Sequence, residues 1–136
     1  MQRALIDAGP CIALFDRSDK HHEKVKLFLG GYRGQLFTTW PVITEILHML
    51  DFNVRVQADF LRWLERGAIT IVPINREDLP QIIILIEKYA DRPMDLADAS
   101  LLLVSGRDRV NNIVSIDSDF NIFQTPVGKM LNNLLL

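Results

Sequence analysis

Two aspartates stand immediately after apolar runs that are far apart along the chain. Asp7 closes Ala4-Leu5-Ile6, and Asp117 closes Ile113-Val114-Ser115-Ile116. Residues at the carboxyl ends of parallel strands share one edge of a sheet, the edge where open α/β folds place their sites. Asp98 falls in the first turn of an expected helix that begins near Asp95, and such a turn often faces the same edge. Glu45 is the lone acid of an apolar helical stretch, flanked by Ile43, Ile46 and Leu47, with no Lys or Arg in that stretch to meet it. A carboxylate on a mostly buried helix costs several kcal/mol unless something positive compensates it. Carboxylates that converge also repel one another, which raises their pKa values until a cation neutralises them. Oxygen-only ligands select hard cations, Mg²⁺ or Mn²⁺, over zinc. A pair of such ions about 3.5–4 Å apart can activate water and stabilise the leaving oxygen of a phosphodiester. Asp7, Glu45, Asp98 and Asp117 are therefore the candidate metal-binding and catalytic residues.

Asp95 and Asp119 are secondary candidates for the same metal. Asp95 reads first as the N-cap of the helix that carries Asp98, a role worth about 1 kcal/mol. Asp119 is either a ligand or the cap of the turn that follows Asp117. Asp16 and Asp19 bracket a loop and would cap the helix holding His21 and His22. Those histidines have no Cys or third His nearby, which argues against zinc. His48 reads as packed or hydrogen-bonded, Thr44 as a hydroxyl on a helix surface, and Cys11 as a small core residue. Arg55, Arg62 and Arg66 share one helical stripe with Asp59, so intrahelical pairing accounts for much of that stripe. Lys20, Lys24, Arg107 and Arg109 lie in or beside loops, where phosphates could reach them. Trp40, Phe37 and Trp63 could stack nucleobases, but buried packing is the reading each residue type favours.

These residues need a scaffold, and the hydrophobic pattern supplies one. Residues 4–6, 36–39, 69–74 and 113–116 are mostly apolar without strict alternation, as expected of strands covered on both faces. Between them lie helical patterns. One covers residues 21–29 and stops at Gly30-Gly31; another covers 41–50 and opens on a proline tolerated in a first turn. Residues 54–64 set Val56, Phe60, Trp63 and Leu64 on one amphipathic stripe. A helix over about 77–90 carries Pro80 near its beginning and breaks at Asp91-Arg92-Pro93, and a last one runs from near Asp95 to Gly106. The tail, 127–136, forms a short helix or strand whose apolar end packs on the domain or a partner. Alternating strands and helices predict an α/β fold with a mainly parallel central sheet.

The 136 residues suit one domain, 1–136, with 49% hydrophobic and 24% charged residues and no repeat, linker or low-complexity stretch. The formal charge of −2 gives no global attraction for nucleic acid, so RNA contact must come from local patches or bound metal. A single cysteine excludes an internal disulfide. Met1-Gln2-Arg3 runs directly into a strand pattern rather than a charged-then-apolar leader, and the apolar runs 82–86 and 101–104 are too short to span a bilayer. A soluble cytoplasmic protein with no membrane contact is expected.

Taken in order, the acidic segments resemble the PIN-domain ribonucleases, particularly the VapC-type toxins of bacterial and archaeal toxin–antitoxin pairs. Leu5 through Asp16 is similar to the opening strand, acidic residue and short helix of that family, and Asp19-Lys20-His21-His22 to the start of its second helix. Val42-Ile43-Thr44-Glu45-Ile46 resembles the helix bearing the second acid. The segment from Asp91 to Ser100 resembles the third motif, and Ser115-Ile116-Asp117-Ser118-Asp119-Phe120 the last. The resemblance implies a three-layer α/β/α sandwich, Mg²⁺ or Mn²⁺ dependence, endonucleolytic cleavage of RNA, homodimers, and neutralisation by a small antitoxin encoded beside the toxin. Gly9 stands where many members carry Ser or Thr, Phe123-Gln124 where many carry an aromatic-Arg pair, and 105–112 is unlike the usual short loop.

Two other readings remain at this point. A non-catalytic PIN-like module would bind RNA or a partner without turnover. A signalling receiver domain would need paired acids after the first strand and a lysine after the last; Asp7 is followed by Ala8-Gly9, and no strand-end lysine is present.

Overall fold

The computed structural model describes residues 1–92 and 94–135. Pro93, in the expected break after the helix over about 77–90, and Leu136, at the end of the expected tail element, lie outside the described residues. Five strands form one sheet: β1 (Arg3–Ile6), β2 (Gln35–Thr38), β3 (Thr70–Ile71), β4 (Asn112–Val114) and β5 (Asn132–Asn133). Their order is β3-β2-β1-β4-β5, and every neighbouring pair is parallel. The first strand of the chain is therefore central. Leu5 pairs with Phe37 on one side and Ile113 on the other.

Ala4, Leu5 and Ile6 are wholly buried, as are Ile113 and Val114, so helices cover both sides of the sheet and the architecture is a three-layer α/β/α sandwich. The helices are α1 (Ala8–Phe15), α2 (His22–Gly31), α3 (Trp40–Met49), α4 (Val54–Glu65), α5 (Leu79–Lys88) and α6 (Leu96–Asp108). The chain winds from β1 through β2 to β3, then crosses back to place β4 on the far side of β1. That reversal opens a crevice at the carboxyl ends of β1 and β4.

Local chemistry explains where elements begin and end. The expected strand 69–74 pairs over only Thr70–Ile71, with one further bond from the Val72 N–H to the Thr38 carbonyl, because Pro73 brings no donor to the ladder. The helix expected over 77–90 is preceded by a 3₁₀ turn at Arg76–Asp78, where Asn75 and Asp78 form a reciprocal capping box. Helix α2 includes Gly30 and Gly31 rather than stopping before them. Asp16 ends α1 and holds the turn at Ser18 instead of capping α2, whereas Asp19 accepts from the His21 N–H. Within the tail, Asn132–Asn133 form a strand rather than a helix.

Helix α6 is the pillar of the molecule. Ala99 through Ser105 are all buried, and α6 runs past Gly106 to a left-handed close at Arg109 with φ of 57°. A Cβ on Gly106 would stand 3.1 Å from Pro126, so the close approach of those segments favours glycine. Beyond it, Arg107 binds Asp78 at 2.8 Å and the Pro73 carbonyl at 3.2 Å, tying α6 to the 3₁₀ turn. Leu101→Ala, at a wholly buried site in this helix, should lower the unfolding free energy by about 2–5 kcal/mol. Denaturant titration should show a lower midpoint with an unchanged slope.

Candidate metal centre

Each of the four main acids is delivered by a different element. Asp7 leaves β1 and caps α1, its Oδ1 accepting from the Ala8 N–H at 2.8 Å. Its backbone N–H extends the ladder to the Val114 carbonyl at 3.1 Å. Asp117 follows β4 and caps a short 3₁₀ turn, Ser118–Asn121, accepting from the Asp119 N–H at 2.9 Å. Glu45 projects from the middle of α3, and Asp98 sits in the first turn of α6. All four line one cavity of about 570 Å³ at the carboxyl edge of the sheet. Asp95 and Asp119 line it too, and so does Asp19.

The two helix-borne acids are held in register by a polar contact inside the core. The Ser100 hydroxyl donates to the Ala97 carbonyl at 2.7 Å, which leaves its oxygen to accept from the Thr39 hydroxyl at 2.6 Å. Thr39 immediately precedes α3, so the starts of α3 and α6 are pinned together across 61 residues. The two strand-end acids share a second device. The Ser115 hydroxyl donates to Asp7 Oδ2 at 3.2 Å and accepts from the Asp117 N–H at 3.0 Å. Ser115 is itself clamped by Asn133, whose side-chain amide exchanges bonds with the Ser115 backbone at 3.1 and 3.2 Å. Sequence patterns gave Ser115 and Asn133 no role, since a bond across 108 residues leaves no local signal.

The electrostatics follow from that crowding. Burial pushes the Asp7 carboxyl up to about 7, and the Glu45 and Asp117 charges add to it, while the Ala8 N–H and the Ser115 hydroxyl pull back. Glu45 is raised by burial and then by Asp95 and Asp117. Asp98 is raised by burial and then by Asp95 and Asp7. Asp119 is raised by burial and then by Asp117, with the Arg92 charge pulling partly the other way. Among the described residues no Lys or Arg lines the cavity.

Such a set fits a hard divalent cation: the donors are carboxylate oxygens, and the repulsion among them is relieved by positive charge. Among the described residues the carboxylates share a cavity without being drawn into a ready-made coordination cage. Asp95 and Asp117 each spend an oxygen on a backbone N–H, and Asp95 does so as the N-cap of α6. His21 lines the cavity; His22 is turned away, its Nδ1 2.7 Å from the Ala13 carbonyl. Cys11 is wholly buried, and burial holds its thiol far above the usual range.

Other residues depart from their sequence reading or agree with it. Trp40, expected to be packed, is 59% exposed, because it opens α3 at a point where the chain has just left the sheet. His48 is exposed as well. Phe37 and Trp63 are half-buried, and Trp63 packs on Phe15 and Phe60. Arg62 pairs with Asp59 on the solvent face of α4 at 3.0 Å, and Thr44 donates to the Trp40 carbonyl.

The Asp7 value carries a sign for stability. Its folded value lies near 7 against 3.8 for an unperturbed carboxyl, so in metal-free protein the folded state keeps a proton that the unfolded chain has lost. The Asp7 contribution is complete below 3.8 and is lost as pH rises through 7, at up to about 1.4 kcal/mol per unit between them. Chelator-treated protein should therefore unfold more readily at about pH 8 than at about pH 5.5, and Mn²⁺ should restore more stability at the higher pH, because its ligands must be deprotonated. Equal stabilisation by Mn²⁺ at both pH values, read by thermal melting, would contradict this account of the cavity.

Comparison with known proteins agrees with the architecture. A model of the PIN domain family matches residues 4–124. The Mycobacterium tuberculosis protein named Ribonuclease VapC26 is 25% identical over 126 residues, spanning 91% of this chain and 93% of its own. The crystal structure of M. tuberculosis VapC20, a toxin that cleaves the sarcin–ricin loop, superposes with a TM-score of 0.79 at 16% identity, covering 87% of this chain and 92% of that one. VapBC2 from Rickettsia felis, bound to promoter DNA, superposes at 0.65 with 9% identity, over 97% of this chain and 98% of that one. The match to the family extends from the central strand β1 to beyond the turn that carries Asp117, so the chain belongs to the PIN domain family.

Proposed function

We propose that this PIN domain is a Mg²⁺- or Mn²⁺-dependent endoribonuclease and the toxin of a toxin–antitoxin pair. The observation that carries the reading is the meeting of Asp7, Glu45, Asp98 and Asp117 in one cavity whose lining holds no balancing cation among the described residues. The ribonuclease relative supports RNA as the substrate, and the structural likeness to a toxin–antitoxin complex from Klebsiella pneumoniae, with a TM-score of 0.60, 18% identity and coverage of 85% of this chain and 87% of that one, supports a small antitoxin as partner. We assign it further to the cytoplasm, as a single domain over 1–136 that works as a homodimer. Among the described residues no helix is long and apolar enough to cross a membrane.

Asp7, Glu45, Asp98 and Asp117 would hold the metal, with Asp95 and Asp119 as secondary donors. When bound, the metal supplies Lewis-acid charge at the phosphodiester and lowers the pKa of water. Asp7 contributes a carboxyl excluded from bulk solvent, so its charge is screened little and acts strongly on whatever enters. Ser115 fixes the rotation of that carboxyl and, through the Asp117 N–H, the approach of the second strand-end acid. Glu45 and Asp98 face the strand-end acids from α3 and α6, whose starts the Thr39–Ser100 bond holds rigid. The complete acidic set argues against a non-catalytic binding module, and family membership sets the receiver-domain reading aside.

Asp7→Asn should reduce Mn²⁺-dependent cleavage of single-stranded or loop RNA to background, with a melting temperature equal to the parent's or slightly higher. Cleavage at the parent rate in this variant would remove the assignment. Ser115→Ala tests positioning separately. It should raise the Mn²⁺ concentration needed for half-maximal cleavage about 10- to 100-fold, with activity recovering at saturating metal.

A further inference from the structure

A second cavity, of about 630 Å³, adjoins the acidic one and has a different chemistry. Its walls include Trp40, Pro41, Leu96 and His48, and it shares Glu45 and Asp95 with the acidic cavity. Trp40 is 59% exposed and Leu96 50% exposed, so two large apolar side chains face solvent at the rim of a charged site. Both stand on fixed backbone. Trp40 is the first residue of α3 and Leu96 the first of α6, and the two helix starts are joined by the Thr39–Ser100 hydrogen bond at 2.6 Å. The Trp40 carbonyl is further fixed by the Thr44 hydroxyl at 3.0 Å.

We propose that Trp40 and Leu96 form a shelf on which an unpaired nucleobase of the RNA stacks while its phosphate lies at the acidic cavity; this rests on the endoribonuclease reading. The shelf carries no Lys or Arg among the described residues, so it is not built for phosphate. It offers the exposed Trp40 ring and shares Glu45 and Asp95 with the cavity where a metal-held phosphate would lie, which suits the neighbouring base of a single strand. A second copy of this chain is the rival occupant. A flat protein cover would bury the Glu45 and Asp95 carboxylates of the shared wall, a cost that a planar base at the rim does not impose. Stacking also gives a chain of formal charge −2 a hold on RNA that does not depend on a basic surface.

The test separates the shelf from the catalytic reading. Trp40→Ala in the otherwise unaltered chain should raise KM for short single-stranded RNA about 5- to 150-fold with a smaller change in kcat, the range that loss of one stacked base gives. Trp40→Phe should restore most of the loss. In a Trp63→Phe, Asp7→Asn protein, Trp40 is the sole tryptophan and cleavage is blocked. Its fluorescence should be quenched by an RNA hexamer with bases and not by a ribose-phosphate hexamer without them. An unchanged KM in Trp40→Ala overturns the proposal, as does equal quenching by the two hexamers. A shift of Trp40→Ala to a smaller assembly in light scattering assigns the shelf to a second copy and overturns it too. Failure of the parent protein to cut any RNA with Mn²⁺ would remove the nuclease reading instead, and the quenching measurement would still report on the shelf.

Discussion

Negative charge held close together, in a place largely shut off from water, is the condition around which this molecule is arranged. Asp7 is the centre of it: a carboxyl at the end of the central strand, 6% exposed, with Glu45 and Asp117 acting on it. A carboxylate in such surroundings is unfavourable by itself, and the protein supplies only dipoles to offset it, the Ala8 N–H and the Ser115 hydroxyl. Stability has been yielded at one edge of the sheet to keep these carboxyls together, a trade that recurs in proteins whose sites do chemistry.

The remainder of the fold makes that crowding rigid. A parallel sheet needs crossover helices, and these cover both faces, so β1 and β4 are buried and their ends cannot wander. Helix α6, buried along most of its length, delivers Asp98 with little freedom. Around the cavity, hydroxyls join the parts: Thr39 to Ser100 across the helix starts, and Ser115 to both strand-end acids. Neutral bonds of this kind fix geometry without cancelling the charge that the cavity concentrates.

Much of this was legible in the chain, for identifiable reasons. Asp7 and Asp117 announce themselves because an acid directly after a strand-like run has few places to go but the sheet edge. Glu45 stood out as a lone acid in an apolar helix, and Asp98 by its place in a first turn and its order among the motifs. Asp95 took the capping role that its residue type favours. Other features lay beyond local pattern. The truncation of β3 depended on how far a partner strand could follow before Pro73, and the end of α6 on the left-handed close at Arg109. Ser115 and Asn133 act through contacts with remote segments. Trp40 was read as core because tryptophan usually is; its exposure is set by the turn out of β2, which periodicity does not encode.

The strand order has a consequence for the life of the molecule on the ribosome. β1 leads the chain yet sits in the middle of the sheet, so its neighbours are all made after it. At the usual pace of translation, about 5–20 residues per second, Asp7 is synthesised many seconds before Ser115 reaches it. Asn133, which steadies Ser115, comes later still. The cavity therefore cannot be completed when β1 is made, and takes its final form only after Ser115 and Asn133 have joined it.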